Sequence, residues 1–285
     1  MPLALLATLA LAALLVLRTE PTVLFEGAGD FGAVRVIERS DGLRELYAGA
    51  GRARQSAVYP NDPRHLELAY SRTAMIGPAW VDPTARILFV GLGGGAMPTF
   101  VRQIVPEARL DVVEIDPLIV RAAAEWFGVQ PDSGMTVHTG DGRAFIEGSP
   151  PERWDLVVLD AFSDTDIPRA LTTRPFLEAV RRTLDSRGIV VSNLHTSAPE
   201  YEQMVATYLE VFSVVLLVPV SGRRQNVLIA SERAGLDRQS VVAAARAWSA
   251  RVEPGFDLGA LTEDTRVARA AVGATILEDG GDGPP

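Results

Sequence analysis

The chain has 285 residues, 47% of them hydrophobic and 22% charged, which is the composition of a globular protein and not of a disordered or collagen-like one. It contains no Cys, no Lys and three widely separated His; disulfides, thiolate metal sites, Cys nucleophiles, Lys Schiff bases and a phosphate-loop Lys are excluded, and a His-based metal cluster is not expected. Acidic residues outnumber basic ones 36 to 27, for a formal charge of −9, so the protein's field repels nucleic-acid phosphates and mildly favours a cationic ligand.

The chain opens on an apolar run, Leu3 to Leu17, broken only by Thr8. As a helix it would reach about 22 Å at ~1.5 Å per residue, short of a ~30 Å bilayer core. It has the length of a signal-peptide core but no basic flank, and its Ala10-x-Ala12 lies inside the run. Residues 1–20 are therefore read as either a cleaved export signal or a membrane tether for a cytoplasmic catalytic domain.

Residues 21–80 read as a small β layer followed by a helix. Val34, Val36 and Ile37 lead into the turn pair Asp41-Gly42 and then Leu46-Tyr47, as in a hairpin. Leu66 to Ile76 has helical spacing that ends at Gly77-Pro78.

Residues 81–235 alternate apolar strands with amphipathic helices. Strands are expected at Ile87–Val90, Leu110–Ile115, Met135–His138, Leu156–Leu159, Ile189–Asn193, Val214–Val220 and Asn226–Ala230. Helices are expected at Pro98–Ile104, Pro117–Phe127, Arg174–Leu184 and Tyr201–Phe212. This order predicts a doubly wound α/β fold with a mostly parallel sheet covered on both faces. Residues 236–277 read as C-terminal helices, and residues 278–285, rich in Gly, Pro and Asp, as a disordered tail.

The first strand of the parallel unit runs into Gly91-Leu92-Gly93-Gly94-Gly95. Glycines at a strand-to-helix turn let backbone amides approach a ligand, and the following helix start favours electronegative groups. Leu110 to Asp116 is an apolar strand ending in two carboxylates about twenty residues on, where dinucleotide sites keep the acid that accepts ribose hydroxyls. Glu114, inside the strand, suits that role, whereas Asp116 suits the cap of the helix that begins at Pro117. Asp141, in Gly140-Asp141-Gly142-Arg143, and Asp160, after Leu159, fall at strand ends on the same rim. Asp160 by itself can also be read as a helix-capping or turn residue at a strand end, and His195 as a weak substrate contact or a structural His.

The ordered set Gly91–Gly95, Val113–Asp116, Gly140–Arg143 and Leu159–Asp164 resembles the spermidine synthase family of polyamine aminopropyltransferases, from about Val34 to Ala230. The resemblance implies a seven-stranded sheet of the class I methyltransferase kind, with a small N-terminal β-hairpin layer. It implies decarboxylated S-adenosylmethionine as donor and an amine as acceptor, with no metal. The nucleoside would sit on Gly91, Gly93 and Gly95, with Glu114 on its ribose and Asp141 on its adenine amine. Asp160 would orient and deprotonate the attacking amine. Tyr70 and Gln55 would border the substrate tail, and Asp164 would act as a second acid. The family also suggests a homodimer.

The sequence departs from that pattern. Gly94 stands where the family usually has an Asp that holds the donor's ammonium, Tyr70 is followed by Ser71-Arg72, and Asp164 is four residues after Asp160 instead of three. These departures keep two alternatives open: a methyltransferase of the same fold that uses S-adenosylmethionine, and a catalytically silent polyamine or nucleoside-binding module.

Overall fold

The computed structural model describes residues 20–49, 54–162, 166–222 and 224–280. The run Leu3–Leu17, with its signal and tether readings, lies outside the described residues, and so does Asp164. Among the described residues no helix is long and apolar enough to cross a membrane.

The N-terminal layer is larger than a hairpin. Strands β1 (Thr22–Gly29), β2 (Gly32–Glu38), β3 (Arg44–Gly49) and β4 (Arg54–Val58) form an antiparallel four-stranded sheet in chain order. Alternation decides its faces: Val34, Val36 and Leu46 are fully buried while Arg35 points outward. The buried face packs on Ala122 and Phe127, which places the sheet over one end of the molecule's larger sheet.

Two short helices follow, α1 (Ala69–Ala74) and α2 (Ile76–Trp80). The helix expected over Leu66–Ile76 is confined to α1, which ends at Ala74, and a second helix, α2, runs through Gly77-Pro78, because Pro78 falls in its first turn, where a missing N–H costs nothing. The α/β core comprises β5 (Arg86–Val90), α3 (Ala96–Ile104), β6 (Arg109–Glu114), α4 (Pro117–Trp126), β7 (Met135–Thr139), α5 (Gly142–Gly148), β8 (Trp154–Leu159), α6 (Arg174–Thr183), β9 (Leu184–His195), α7 (Tyr201–Val211), β10 (Val214–Pro219) and β11 (Gln225–Ser231). Helices α8 (Arg238–Val252) and α9 (Leu258–Thr262) and a short strand β12 (Arg266–Val267) close the fold.

The large sheet has the order β12-β10-β11-β9-β8-β5-β6-β7. Strands β5 to β9 pair in parallel, and β11, β10 and β12 add on antiparallel. There are eight strands instead of the expected seven. The extra one, β12, interrupts a stretch read as helical, because α9 ends at Thr262 and Thr265 Oγ1 donates back to the Thr262 carbonyl, turning the chain onto β10. Both faces of the sheet are covered by apolar clusters, one around Phe89, Phe100 and Trp248, the other around Trp154, Phe176 and Leu177. The chain winds one way from β5 to β6 and the other from β7 to β8, so the carboxyl ends of β5 and β8 flank the point where strand order reverses. Open α/β sheets bind ligands at that point.

Sequence reading did not anticipate α5, whose seven residues begin and end in Gly. Asp141 caps it, accepting from Ala144 N at 2.7 Å, and Arg143 pairs with Glu147 one turn on.

The tail expected to be disordered from residue 278 is docked as far as it is described. Leu277 is buried and Arg174 N donates to its carbonyl at 2.7 Å. Arg143 grips both oxygens of Asp279 at 2.8 and 2.6 Å, and Thr173 Oγ1 donates to the same carboxylate. Its hydrogen bonds from Arg143, ahead of all other influences, hold the Asp279 carboxyl down to about 2. A depressed pKa contributes stability above the ordinary carboxylate range that disappears as pH falls through the folded value. We expect Asp279→Asn to cost about 0.5–1 kcal/mol near neutral pH, the scale of an exposed ion pair. In thermal melts of the two proteins, the gap should close as pH falls from about 4 toward 2.

Candidate active site

A cavity of about 390 Å³ opens at the carboxyl ends of β5, β6 and β8. Its floor is the turn after β5. Gly91 and Gly93 line it with φ of +99° and +54°, conformations that side-chain-bearing residues rarely adopt. Gly91 N donates to Val113 O at 2.9 Å and Asp160 N to Val90 O at 2.9 Å, so the turn is bonded to both neighbouring strands.

Glu114 ends β6 and is only 7% exposed. One carboxylate oxygen accepts from Leu92 N at 2.9 Å and the other from Asp116 N at 3.0 Å. Burial raises its pKa, while backbone N–H groups of Asp116, Leu92 and Gly93 favour the charged form. The carboxylate ties the glycine turn to β6, and each oxygen keeps further acceptor capacity toward the cavity. Asp116 caps α4 by accepting from Leu118 N at 2.8 Å, and it also lines the cavity, as does Asp141 at the start of α5.

Asp160 follows β8. Tyr70 Oη donates to its Oδ2 at 3.0 Å and Asn193 Nδ2 to its Oδ1 at 3.2 Å. Desolvation pushes its pKa up to about 7 against the lowering effect of those two bonds. The Tyr70 hydroxyl is raised well above its usual value by burial first and the adjacent carboxylate second, so it remains a donor. Asp160 can thus take a proton near neutral pH while Tyr70 and Asn193 fix its orientation.

Among the residues singled out in the sequence, Gln55, Tyr70, Gly91, Gly93, Glu114, Asp141 and Asp160 all line the one cavity. Two others, Gly95 and His195, are not brought there. Gly95 caps α3 at φ +70°, and a Cβ there would sit 2.2 Å from Val129 Cγ2; it serves the packing of the helix start. His195, at the end of β9, does not line the cavity and instead meets Gln225 at 3.0 Å. Asp164 lies outside the described residues.

Sequence reading missed Ser56 and Asn193. Ser56 Oγ lies 2.8 Å from where a Cβ of Gly94 would project, and Phe127 Cδ1 is 3.0 Å from the same point. The space that a side chain at position 94 would need is thus filled from β4 and from the end of α4. Asn193 had a usable signal: it is an amide that follows the apolar run Ile189–Val191 near the carboxyl end of a strand beside β8.

No protein-family model matches the chain. The polyamine aminopropyltransferase of Vibrio vulnificus is 31% identical over 241 residues, which cover 82% of this chain and 80% of that protein. The crystal structure of a probable spermidine synthase from Corynebacterium glutamicum superposes with a TM-score of 0.72 at 20% identity, over 93% of this chain and 99% of that one. The structure of human methyltransferase-like protein 13 in complex with SAH superposes with a TM-score of 0.60 at 25% identity, over 65% of this chain and 93% of that one.

Proposed function

The chain belongs to the polyamine aminopropyltransferase family, and from that premise we propose that its cavity takes decarboxylated S-adenosylmethionine as donor and a polyamine as acceptor. One observation carries the choice of donor. Glu114, Asp116, Asp141 and Asp160 line the cavity, and none of its described lining residues is Arg, Lys or His. A donor with a free carboxylate would enter an enclosure whose described lining carries acids and no cation to receive it. A donor whose tail ends in an ammonium alone, and an acceptor that is itself a polycation, match that field.

In this reading Glu114 accepts the ribose hydroxyls on the capacity left after its two backbone bonds. Asp141 faces the adenine edge, and Gln55 and Tyr70 border the tail. The sulfonium already activates the donor, so the protein must supply an in-line approach and a neutral amine. Asp160 accepts the amine proton. The nitrogen lone pair then attacks the methylene next to sulfur, a C–N bond forms as the C–S bond breaks, and methylthioadenosine leaves with the bonding pair on sulfur. The sulfonium's positive charge passes to the product nitrogen, which leaves as a secondary ammonium, and the proton the acceptor gave up stays on Asp160. The raised pKa of Asp160 suits it to this exchange.

The second reading, methyl transfer from S-adenosylmethionine, draws support from Gly94 and from the methyltransferase neighbour. Titration calorimetry with methylthioadenosine and S-adenosylhomocysteine, joined to mass spectrometry of products from a panel of amines, separates the two. We expect methylthioadenosine to bind at least about tenfold more tightly, ~1.4 kcal/mol, with aminopropylated product. The reverse preference with methylated product would install the methyltransferase, and binding without product would leave a silent module.

A further inference from the structure

From Asp160 a line of polar side chains that do not line the cavity runs across β9 and β11. Asn193 donates through Nδ2 to Asp160 Oδ1 at 3.2 Å. Gln225 Nε2 lies 3.3 Å from Asn193 Oδ1 and 3.0 Å from His195 Nε2. Asn193 is 4% exposed, so its amide has no freedom to bond water instead. Backbone pairing of Gln225 with His195 across the two antiparallel strands holds the end of this line in register.

The chemistry of these groups admits only matched arrangements. An amide nitrogen is a donor only. With Gln225 Nε2 giving one hydrogen to Asn193 and the other to His195, the His195 Nε2 must offer a lone pair, so the ring is neutral and carries its proton on Nδ1. A protonated ring would place an N–H against the Gln225 amide. Relief comes only if Gln225 turns its oxygen to the ring, whereupon Asn193 must turn its nitrogen to Gln225 and its oxygen to Asp160. That oxygen would face an ionised carboxylate unless Asp160 itself carries a proton to donate.

We propose that His195 is a positioning residue of the active site, coupled to Asp160 through the side-chain amides of Gln225 and Asn193, so that the two groups take up and release their protons together. The proposal rests on Asp160 being the base. His195 holds Asp160 in its ionised, accepting orientation only while its own ring is neutral, and acidification releases both. Burial keeps His195 below its usual value, opposed by the Asp166 carboxylate, and Phe162 presents its ring to the imidazole at 5.1 Å between centroids. Asp166 is the charged group whose field reaches His195 among the described residues; Tyr70 is the titratable group bonded to Asp160. The plain charge interaction works in the opposite direction: protonating Asp160 removes a negative charge and makes His195 harder to protonate. The sign of the coupling therefore identifies its route.

The test is an NMR titration of the His195 ring in the whole protein, alongside the pH profile of kcat/KM, for wild type, His195→Gln and Gln225→Leu. We expect the wild-type ring to be the Nδ1–H tautomer and to titrate with a Hill coefficient above one, falling to one in Gln225→Leu. The acid limb of the wild-type profile should be steeper than a single proton allows. In His195→Gln, whose amide oxygen stays an acceptor at any pH, it should become a single-proton limb with a lower midpoint. A Hill coefficient of one or less in wild type, the Nε2–H tautomer, or an acid limb unchanged in His195→Gln would overturn the coupling. The ring titration needs no turnover. Cooperative protonation of His195 in a protein that transfers nothing would sink the base assignment and leave the coupling standing.

Discussion

Replacing Asp160 with Asn should lower kcat by about 10²–10⁴-fold, the range that general-base catalysis supplies, while methylthioadenosine affinity stays within roughly tenfold, a change of ~1.4 kcal/mol. The split follows from where the side chain sits. Its carboxylate is bonded to Tyr70 and Asn193, whereas the expected nucleoside contacts lie on Glu114 and the glycine turn. Asn can accept from Asn193 and donate to Tyr70 Oη, so the shape of the cavity survives. Wild-type kcat/KM should rise with pH through about 7, since the carboxylate works only when ionised. The same variant carries a stability signature of opposite sense. A carboxyl whose folded pKa is raised loses stability as pH climbs from the ordinary carboxylate value to the folded one. Asp160→Asn should therefore melt above wild type at pH 8, with an advantage that shrinks as the pH approaches 4. Retained turnover would refute the role of Asp160, and a melting difference independent of pH would refute its raised pKa.

Gly91→Ala should be the most damaging single change in the floor of the site. A Cβ at position 91 would stand 2.4 Å from the Asp160 carbonyl oxygen and 2.8 Å from its carbon, on a backbone at φ +99°. Both obstacles are backbone, so no side chain can rotate away, and the β5–β8 junction itself must open. Overpacking and a strained backbone each cost about 1–3 kcal/mol, so a loss of ~2–6 kcal/mol is expected in denaturant unfolding. Because the displaced atoms belong to the base, any folded fraction should turn over at least roughly tenfold more slowly than its share of the population accounts for. As a control, Gly140→Ala, where nothing lies within 4 Å of the added carbon, should be nearly neutral.

How far these features could be read from the residues depends on whether their cause is local. The alternation of apolar strands with amphipathic helices located every strand from β5 to β11, because burial on both faces leaves an apolar run that needs no partner to be recognised. The cap at Asp116 is likewise written within a few residues of the helix it begins. The cavity's carboxylates were accessible through one topological rule, since strand ends on one rim must lie together. What escaped was set by distant chain. Helix α5 is hidden by its terminal glycines and shows itself only when Arg143 meets Asp279, far along the sequence. Gly95 looked like part of a ligand cradle, but Val129 decides its purpose. His195 stood at the correct rim, yet it is turned toward Gln225, a neighbour supplied by the antiparallel pairing of β11 with β9, which neither strand's own pattern announces.

Ser56 and Gly94 belong to different layers of the molecule, and the hydroxyl of one fills the room the other would need to grow. Mutational scanning one position at a time would therefore score residue 94 as intolerant and misread a steric quarrel as a chemical requirement. A library that varies both together with Phe127, whose ring crowds the same point at 3.0 Å, is the proper instrument for asking whether an acid at 94 can be grafted into this scaffold.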